Sequence, residues 1–368
     1  MKKHQKHSKL IKRNFGNYGP NEIAILGTSC AVISDLVKEV SKPLSVKNKI
    51  AYLDASHKEN PESLKFDWFT YHHLGNLELE AKSSLNTYRA KNQLASYDLT
   101  FINGNHFQGA KQIIFLDKNK ENAIIKRIDE IQDVLAFIQK DEIEIFDVLK
   151  SKFPNYKEIP SFKLTELVKL QDLVSVFLKE NLPPLNGLIL AGGESTRMGQ
   201  DKASLKYYGK EHSLYILDML KPYVENNFLS KKENKEKAPN IIADQFFNLG
   251  PFGAICSAFM HNPNKAYLVF ATDLPYINKA LIEKIITQRD PSKLATAVKG
   301  KKAKFPEPLI CIWEPKAYPV LLQYLSQGIS CPRKILINED IKILEVDDKY
   351  ITNVNNNIEY QAVLKALK

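Results

Sequence analysis

The stretch Leu188 to Lys202 (LILAGGESTRMGQDK) runs an apolar segment straight into Gly192 and Gly193, then supplies Arg197, Gly199 and Lys202. Two adjacent glycines let main-chain N–H groups approach a ligand with no Cβ in the way. Arg197 and Lys202 add fixed cations of the kind that neighbouring phosphate charges demand. Together these parts suit a nucleoside triphosphate. The spacing is neither that of a Walker A loop nor that of a dinucleotide fingerprint. By itself, Gly-Gly after a strand also makes a plain strand-to-helix turn.

Two carboxylates follow. Ile241-Ile242-Ala243-Asp244 and the longer apolar run Tyr267 to Thr272, closed by Asp273-Leu274-Pro275, each end a strand on an aspartate. Ligands of open parallel sheets collect beyond the carboxyl ends of the strands. Gly192, Gly193, Asp244 and Asp273 are therefore expected to face one crevice. A carboxylate there suits Mg²⁺, a hard cation that takes carboxylate and phosphate oxygens. Helix capping or turn formation is the alternative role for either aspartate. Asn353-Val354-Asn355, near the end of the chain, reads on its own as an asparagine-rich turn, since Asn356 and Asn357 follow.

Leu190 to Lys202 fills every fixed position of the pattern L-A-G-G-x-S-x-R-M-G-x-D-K. On that motif the chain from Leu185 onward resembles the molybdenum cofactor guanylyltransferases (MobA type). Asp273-Leu274-Pro275 resembles the metal-binding D-[MT]-P of that family, and Asn353-Val354-Asn355 a motif near the same metal. Phe305-Pro306-Glu307-Pro308 resembles its substrate loop, with Phe305 in place of a histidine. Gly250-Pro251-Phe252-Gly253-Ala254 departs from the family's G-P-L-x-G turn, its second glycine falling one place early.

The resemblance implies transfer of GMP from GTP to the terminal phosphate of molybdopterin or its molybdenum adduct, with release of pyrophosphate. It implies that the backbone of Leu190, Ala191 and Gly192, beside Gly193, cups the nucleotide, and that Asp244 contacts the nucleoside. Arg197 and Lys202 would neutralise the triphosphate, and Asp273 with Asn355 would hold Mg²⁺. The nucleophile in such a reaction is a phosphate monoester, already anionic near neutral pH. Positioning and charge neutralisation then outweigh general-base chemistry. Three alternatives stay open: a cytidylyltransferase for the same cofactor, a nucleotidyltransferase for another phosphorylated small molecule, and a non-catalytic partner-binding protein. Molybdoenzymes or their chaperones would be the downstream partners.

The N-terminal half is a different problem. Glu22 to Gly27 reads as a strand entering a loop and Val32 to Val40 as the helix after it, which is where a P-loop would sit. Counting from Gly27, Val32 occupies the second glycine position and Ile33 the lysine position, and only Ser34 fits. Such a loop lacks its phosphate-reaching cation. Leu99 to Gly104 and Lys111 to Leu116 read as further strands. From Glu22 to Phe153 this half resembles the GTP-binding adapter of the same pathway (MobB type) with a ruined phosphate site, which implies a kept fold and a structural or docking role.

The chain of 368 residues, 44% hydrophobic and 26% charged, has a globular composition and exceeds one ordinary domain. Its fold class is expected to be α/β in two domains. One is a P-loop-like α/β domain with a degenerate nucleotide loop, the other a Rossmann-like nucleotidyltransferase domain with a mostly parallel sheet. The expected limits are a basic tail over 1–20, solvated rather than packed, the adapter over 21–160, a helical linker over 161–184, and the transferase over 185–368. Pro183-Pro184 ends a helix read over Leu164 to Lys179 just before a strand at Gly187 to Leu190. Leu205 to Gly209 reads as a short strand and turn, and Ser213 to Leu220 as a helix.

Cys30, Cys256, Cys311 and Cys331 are scattered, with no C-x-x-C pair, which fits a reducing cytoplasm. His72-His73 reads as a surface pair. The net charge of +10 is spread along the chain without an aromatic-interleaved basic strip, so nucleic acid is not an expected partner. No apolar run approaches bilayer length, so neither is a membrane.

Overall fold

The computed structural model describes residues 9–55, 68–71, 77–80, 86–140, 142–191, 205–235 and 237–367. Gly192, Gly193, Arg197 and Lys202 of the glycine loop, and the pair His72-His73, lie outside the described residues. The chain divides into two compact units, Phe15–Asn181 and Leu182–Lys368, the second also taking the residues up to Asn14.

The first unit runs β1 (Glu22–Leu26), α1 (Cys30–Leu44), β2 (Ile50–Leu53), β3 (Trp68–Tyr71), β4 (Leu77–Glu80), α2 (Thr87–Leu94), β5 (Leu99–Asn103) and β6 (Lys111–Leu116). It continues through α3 (Glu121–Lys126), β7 (Val134–Gln139), α4 (Asp147–Lys152), β8 (Ser161–Lys163) and α5 (Leu167–Glu180). A parallel sheet has the order β2-β5-β1-β6-β7-β8, while β3 and β4 pair antiparallel. Alternate residues feed two cores. Ile23, Ile25, Ile113 and Phe115 pack with α1 and α5, and Leu26, Ile114, Leu116 and Phe137 pack against Ile124 and Leu149. Helices on both faces explain why these strands read as unbroken apolar runs.

Helix α1 starts two residues earlier than its apolar pattern suggests. Ser29 caps it, its Oγ accepting the Val32 N–H at 3.5 Å. Ile33 is fully buried in the core, so the position where a P-loop would carry its lysine here faces the sheet. Gly27 adopts φ +96°, the left-handed region that glycine tolerates.

The second unit runs β9 (Leu185–Leu190), α6 (His212–Leu220), β10 (Asn227–Lys231), β11 (Ile241–Ala243), α7 (Gly250–His261), β12 (Ala266–Ala271) and α8 (Lys279–Thr287). Then follow β13 (Ala295–Gly300), β14 (Glu307–Trp313), α9 (Ala317–Ser326), α10 (Pro332–Asn338), β15 (Lys342–Val346) and α11 (Asn357–Ala366). The sheet order is β11-β10-β9-β12-β14-β13-β15, parallel except for β14, which is antiparallel to β12 and β13.

Three segments differ from their sequence reading. Leu205 to Gly209 forms no strand. Leu205 and Tyr207 instead bury their side chains with Val354 and Val363 in a satellite core. Gly250-Pro251-Phe252-Gly253 is the first turn of α7, with proline where a helix needs no N–H donor. A Cβ on Gly253 would collide with the Phe246 carbonyl oxygen, which accounts for that glycine's place. Finally, part of the basic N-terminal stretch is packed. The Asn14 N–H donates to Asn264 Oδ1 at 2.6 Å, and Asn264 Nδ2 donates to the Lys12 carbonyl at 2.8 Å. Arg13 donates to the Pro315 carbonyl, and burial lowers its guanidinium to about 10.

The start of β9 is pinned by an ion pair. Arg289 meets both carboxylate oxygens of fully buried Glu314 at 2.7 and 2.8 Å and donates to the Pro183 carbonyl at 2.9 Å. Arg289→Met strands the Glu314 carboxylate, so the unfolding free energy should fall by about 3–5 kcal/mol. A urea titration checks this, and a paired Glu314→Leu change should restore most of the loss.

Candidate active site

Parallel pairing aligns the carboxyl ends of four neighbouring strands. In register, Leu190 of β9 faces Ala271 of β12 and Ser230 of β10, and Lys231 of β10 faces Ala243 of β11. Everything that follows β9, β11 and β12 therefore emerges on one side of the sheet. Asp244, Ala191 and Asp273 are the residues placed there.

Ser230 links two of them. Its carbonyl accepts the Ala191 N–H at 3.1 Å, and its hydroxyl donates to Asp244 Oδ1 at 3.2 Å. The Asp244 N–H is tied to the Lys231 carbonyl at 2.9 Å. Burial pushes the Asp244 carboxyl up, against the Ser230 hydrogen bond and the Lys232 charge. Leu190 offers its carbonyl to the Thr272 hydroxyl at 3.4 Å. Ladder bonds thus hold the Leu190–Ala191 backbone at the point where the glycine loop begins.

Asp273 stands one residue beyond Thr272. Its carbonyl accepts the Val354 N–H at 2.8 Å, which draws the Asn353-Val354-Asn355 turn to the end of β12. Val354 is fully buried, and Asn353 Oδ1 is buried with no hydrogen-bond partner. Asn355 is exposed, its N–H donating to Glu359 Oε2 at 2.6 Å. The buried Tyr207 hydroxyl also lacks a hydrogen-bond partner. Burial raises it most, and Asp273 is among the neighbouring charges that raise it further.

The sequence reading named Glu307 only as part of the Phe305 to Pro308 loop and passed over its partner Arg333, along with Ser230 and Tyr207, at this end of the sheet. Glu307, at the start of β14, is buried and meets Arg333 of α10 at 3.1 Å. Burial raises its carboxyl, the Arg333 charge opposes this, and Asp273 adds to the rise. Ser230, Tyr207 and Arg333 follow no local motif, and only the fold brings them to this end of the sheet. Phe305 is partly exposed, with Lys304 Nζ 5.2 Å from its ring centroid.

The donor set around Asp273 is oxygen-rich: its own carboxylate, and the buried amide oxygen of Asn353. Among the described residues, no three His, Cys, Asp or Glu side chains are grouped to hold a metal by themselves. A hard cation that keeps most of its ligands as water and phosphate fits such a site, and a structural zinc does not.

Comparison with known proteins finds similarity in this unit. The family model of the MobA-like NTP transferase domain matches residues 187–341. A "Molybdenum cofactor biosynthesis bifunctional protein" of Synechocystis is 35% identical over 235 residues, 62% of this chain and 65% of that protein. Just under two thirds of that relative's length is thus covered. A "Probable molybdenum cofactor guanylyltransferase" of Flavobacterium johnsoniae is 25% identical over 181 residues, 47% of this chain and 92% of that protein. The crystal structure of molybdopterin-guanine dinucleotide biosynthesis protein A from Archaeoglobus fulgidus aligns with a TM-score of 0.42 at 19% identity, covering 49% of this chain and 97% of that one.

A buried histidine supports the Asp273 segment. His212 Nε2 donates to the Leu274 carbonyl at 2.9 Å, while Nδ1 is buried without a hydrogen-bond partner. Burial lowers the imidazole to about 4, so the folded protein keeps it neutral. The unfolded chain takes up a proton near pH 6.5, which makes this contribution complete above that pH and progressively lost down to about pH 4. Between pH 7 and pH 4, wild-type stability should fall by up to about 3 kcal/mol more than that of His212→Gln. Denaturant titrations of the two proteins at several pH values measure the difference.

Proposed function

We propose that this chain, whose residues 187–341 match the family model of the MobA-like NTP transferase domain, transfers GMP from GTP to the terminal phosphate of molybdopterin or its molybdenum adduct, releasing pyrophosphate. The observation that carries the reading is the junction of Asp273 with the Asn353-Val354-Asn355 turn, at the strand end beside the start of the glycine loop. The names of the relatives supply the acceptor and the base.

Each group has a task. The backbone of Leu190, Ala191, Gly192 and Gly193 and the Asp244 side chain hold the nucleoside. Arg197 and Lys202 offset charge on the triphosphate. Asp273 and Asn355, with Asn353 beside them, would hold Mg²⁺, which supplies Lewis-acid stabilisation of the α-phosphate. Asp273 and Lys202 thereby orient the phosphates for in-line attack by a nucleophile that needs no strong base. The unit Phe15–Asn181 serves as an adapter without a nucleotide of its own, because core residue Ile33 fills the place of the phosphate lysine.

Asp273→Ala and Lys202→Ala should each lower GMP transfer by roughly 100-fold or more with unchanged thermal unfolding. Near-normal turnover by either variant would refute the assignment. Calorimetric titration of the full chain with GTP and Mg²⁺ should give one site per chain, lost in Lys202→Ala. A second site that survives the change would contradict the adapter role.

A further inference from the structure

The first unit contains a cavity of about 290 Å³ lined by Gly27, Thr28, Cys30, Asn105, Lys120 and Arg127, among others. Cys30 is the first residue of α1, a helix of 15 residues, so the cavity is lined at the N-terminal end of that helix. Its Sγ lies 3.3 Å from His106 Nε2. Asn105 Nδ2 approaches the same sulfur at 3.8 Å while donating to the Thr28 carbonyl at 2.8 Å. Arg127 donates to the carbonyls of Gly104 and Asn105, fixing the loop that presents Asn105 and His106. Two cationic side chains, Lys120 and Arg127, thus border the space in front of the thiol. Two carboxylates of this unit are engaged, Asp54 with Tyr52 and Asn103 and Asp117 with Thr28 and Lys140, and Asp54 also interacts electrostatically with His106.

We propose that Cys30 and His106 form a nucleophile–base pair, and that this cavity is a covalent modification site for small anionic electrophiles. A thiol becomes an effective nucleophile when a base takes its proton, and a helix N-terminus favours the developing negative sulfur. His106 Nε2 takes the proton of the Cys30 thiol. Sγ then bonds to the electrophilic carbon, and the carbon's bond to the leaving group breaks, the leaving group departing with the electron pair. Lys120 and Arg127 attract a carboxylate on the reagent, so negative charge speeds the reaction.

The other cysteines serve as references within the same chain. Cys331 is exposed, while Cys256 and Cys311 are buried, with burial pushing the Cys256 thiol up to about 12 and the Cys311 thiol well above its ordinary value. Exposure alone would make Cys331 react first. The base pair and the cations reverse that order.

The test is peptide mass spectrometry of the full-length chain after short exposures to iodoacetate or iodoacetamide at pH 7. Cys30 should be carboxymethylated roughly tenfold faster than Cys331 by iodoacetate, with a smaller ratio for iodoacetamide. His106→Gln should bring Cys30 to the Cys331 rate or below with both reagents. Lys120→Gln, a change at an exposed side chain, should reduce the iodoacetate rate at Cys30 and spare the iodoacetamide rate. A Cys30 rate below that of Cys331 in the wild-type chain overturns the proposal. So does a rate unaffected by His106→Gln, or an equal response of both reagents to Lys120→Gln.

Discussion

The hydrogen bond from the Val354 N–H to the Asp273 carbonyl joins the Asn353-Val354-Asn355 turn to the end of a central strand. It crosses some eighty positions of sequence and brings that turn to Asp273, just beyond β12. Burying Val354 fixes the turn against Leu205 and Tyr207. That packing leaves Asn353 Oδ1 and the Tyr207 hydroxyl buried without hydrogen-bond partners near a carboxylate. Orphaned buried polar atoms cost free energy and persist where a ligand uses them. The sheet depends on the same geometry, because only a parallel β9–β12 pair sets Ala191 and Asp273 on one side.

Charge is the second constraint. Asp244, Asp273 and Glu307 bring negative charge to one end of the sheet, and burial raises both Asp244 and Glu307. Ser230 and Lys232 answer the first and Arg333 the second. The phosphate-rich ligand of the proposed reaction would add further negative charge, so that reaction calls for cations rather than a base. His212 stays neutral and acts as a structural donor to the Leu274 carbonyl, consistent with a site that asks for no imidazole chemistry.

Much of this arrangement was legible in the sequence, for a physical reason. Strands buried on both faces read as apolar runs, and the residues that end them, Asp244 and Asp273, fall at the ligand-facing edge of a parallel sheet. What escaped was long-range. Leu205 and Tyr207 alternate like a strand, yet their partners are helix α11 and the Val354 turn. The antiparallel β14 carries no local mark of its direction, so the pairing of Glu307 with Arg333 was not legible. The contact of Cys30 with His106 spans 76 residues and belongs to no motif. The helix start at Cys30 was signalled by Ser29, but the apolar pattern drew attention to Val32 instead.

The first unit keeps a parallel sheet and a glycine turn where a phosphate loop would stand, yet packs Ile33 inward. On the proposed function, nucleotide chemistry falls to the second unit, with Leu190 to Gly193 and Asp244 as the proposed determinants of base choice. The most direct test is pyrophosphate release by the full chain with molybdopterin and GTP, CTP or ATP supplied separately. The account predicts turnover with GTP and formation of the guanine dinucleotide product. Turnover with CTP equal to or above that with GTP, or none with any of the three, would contradict it.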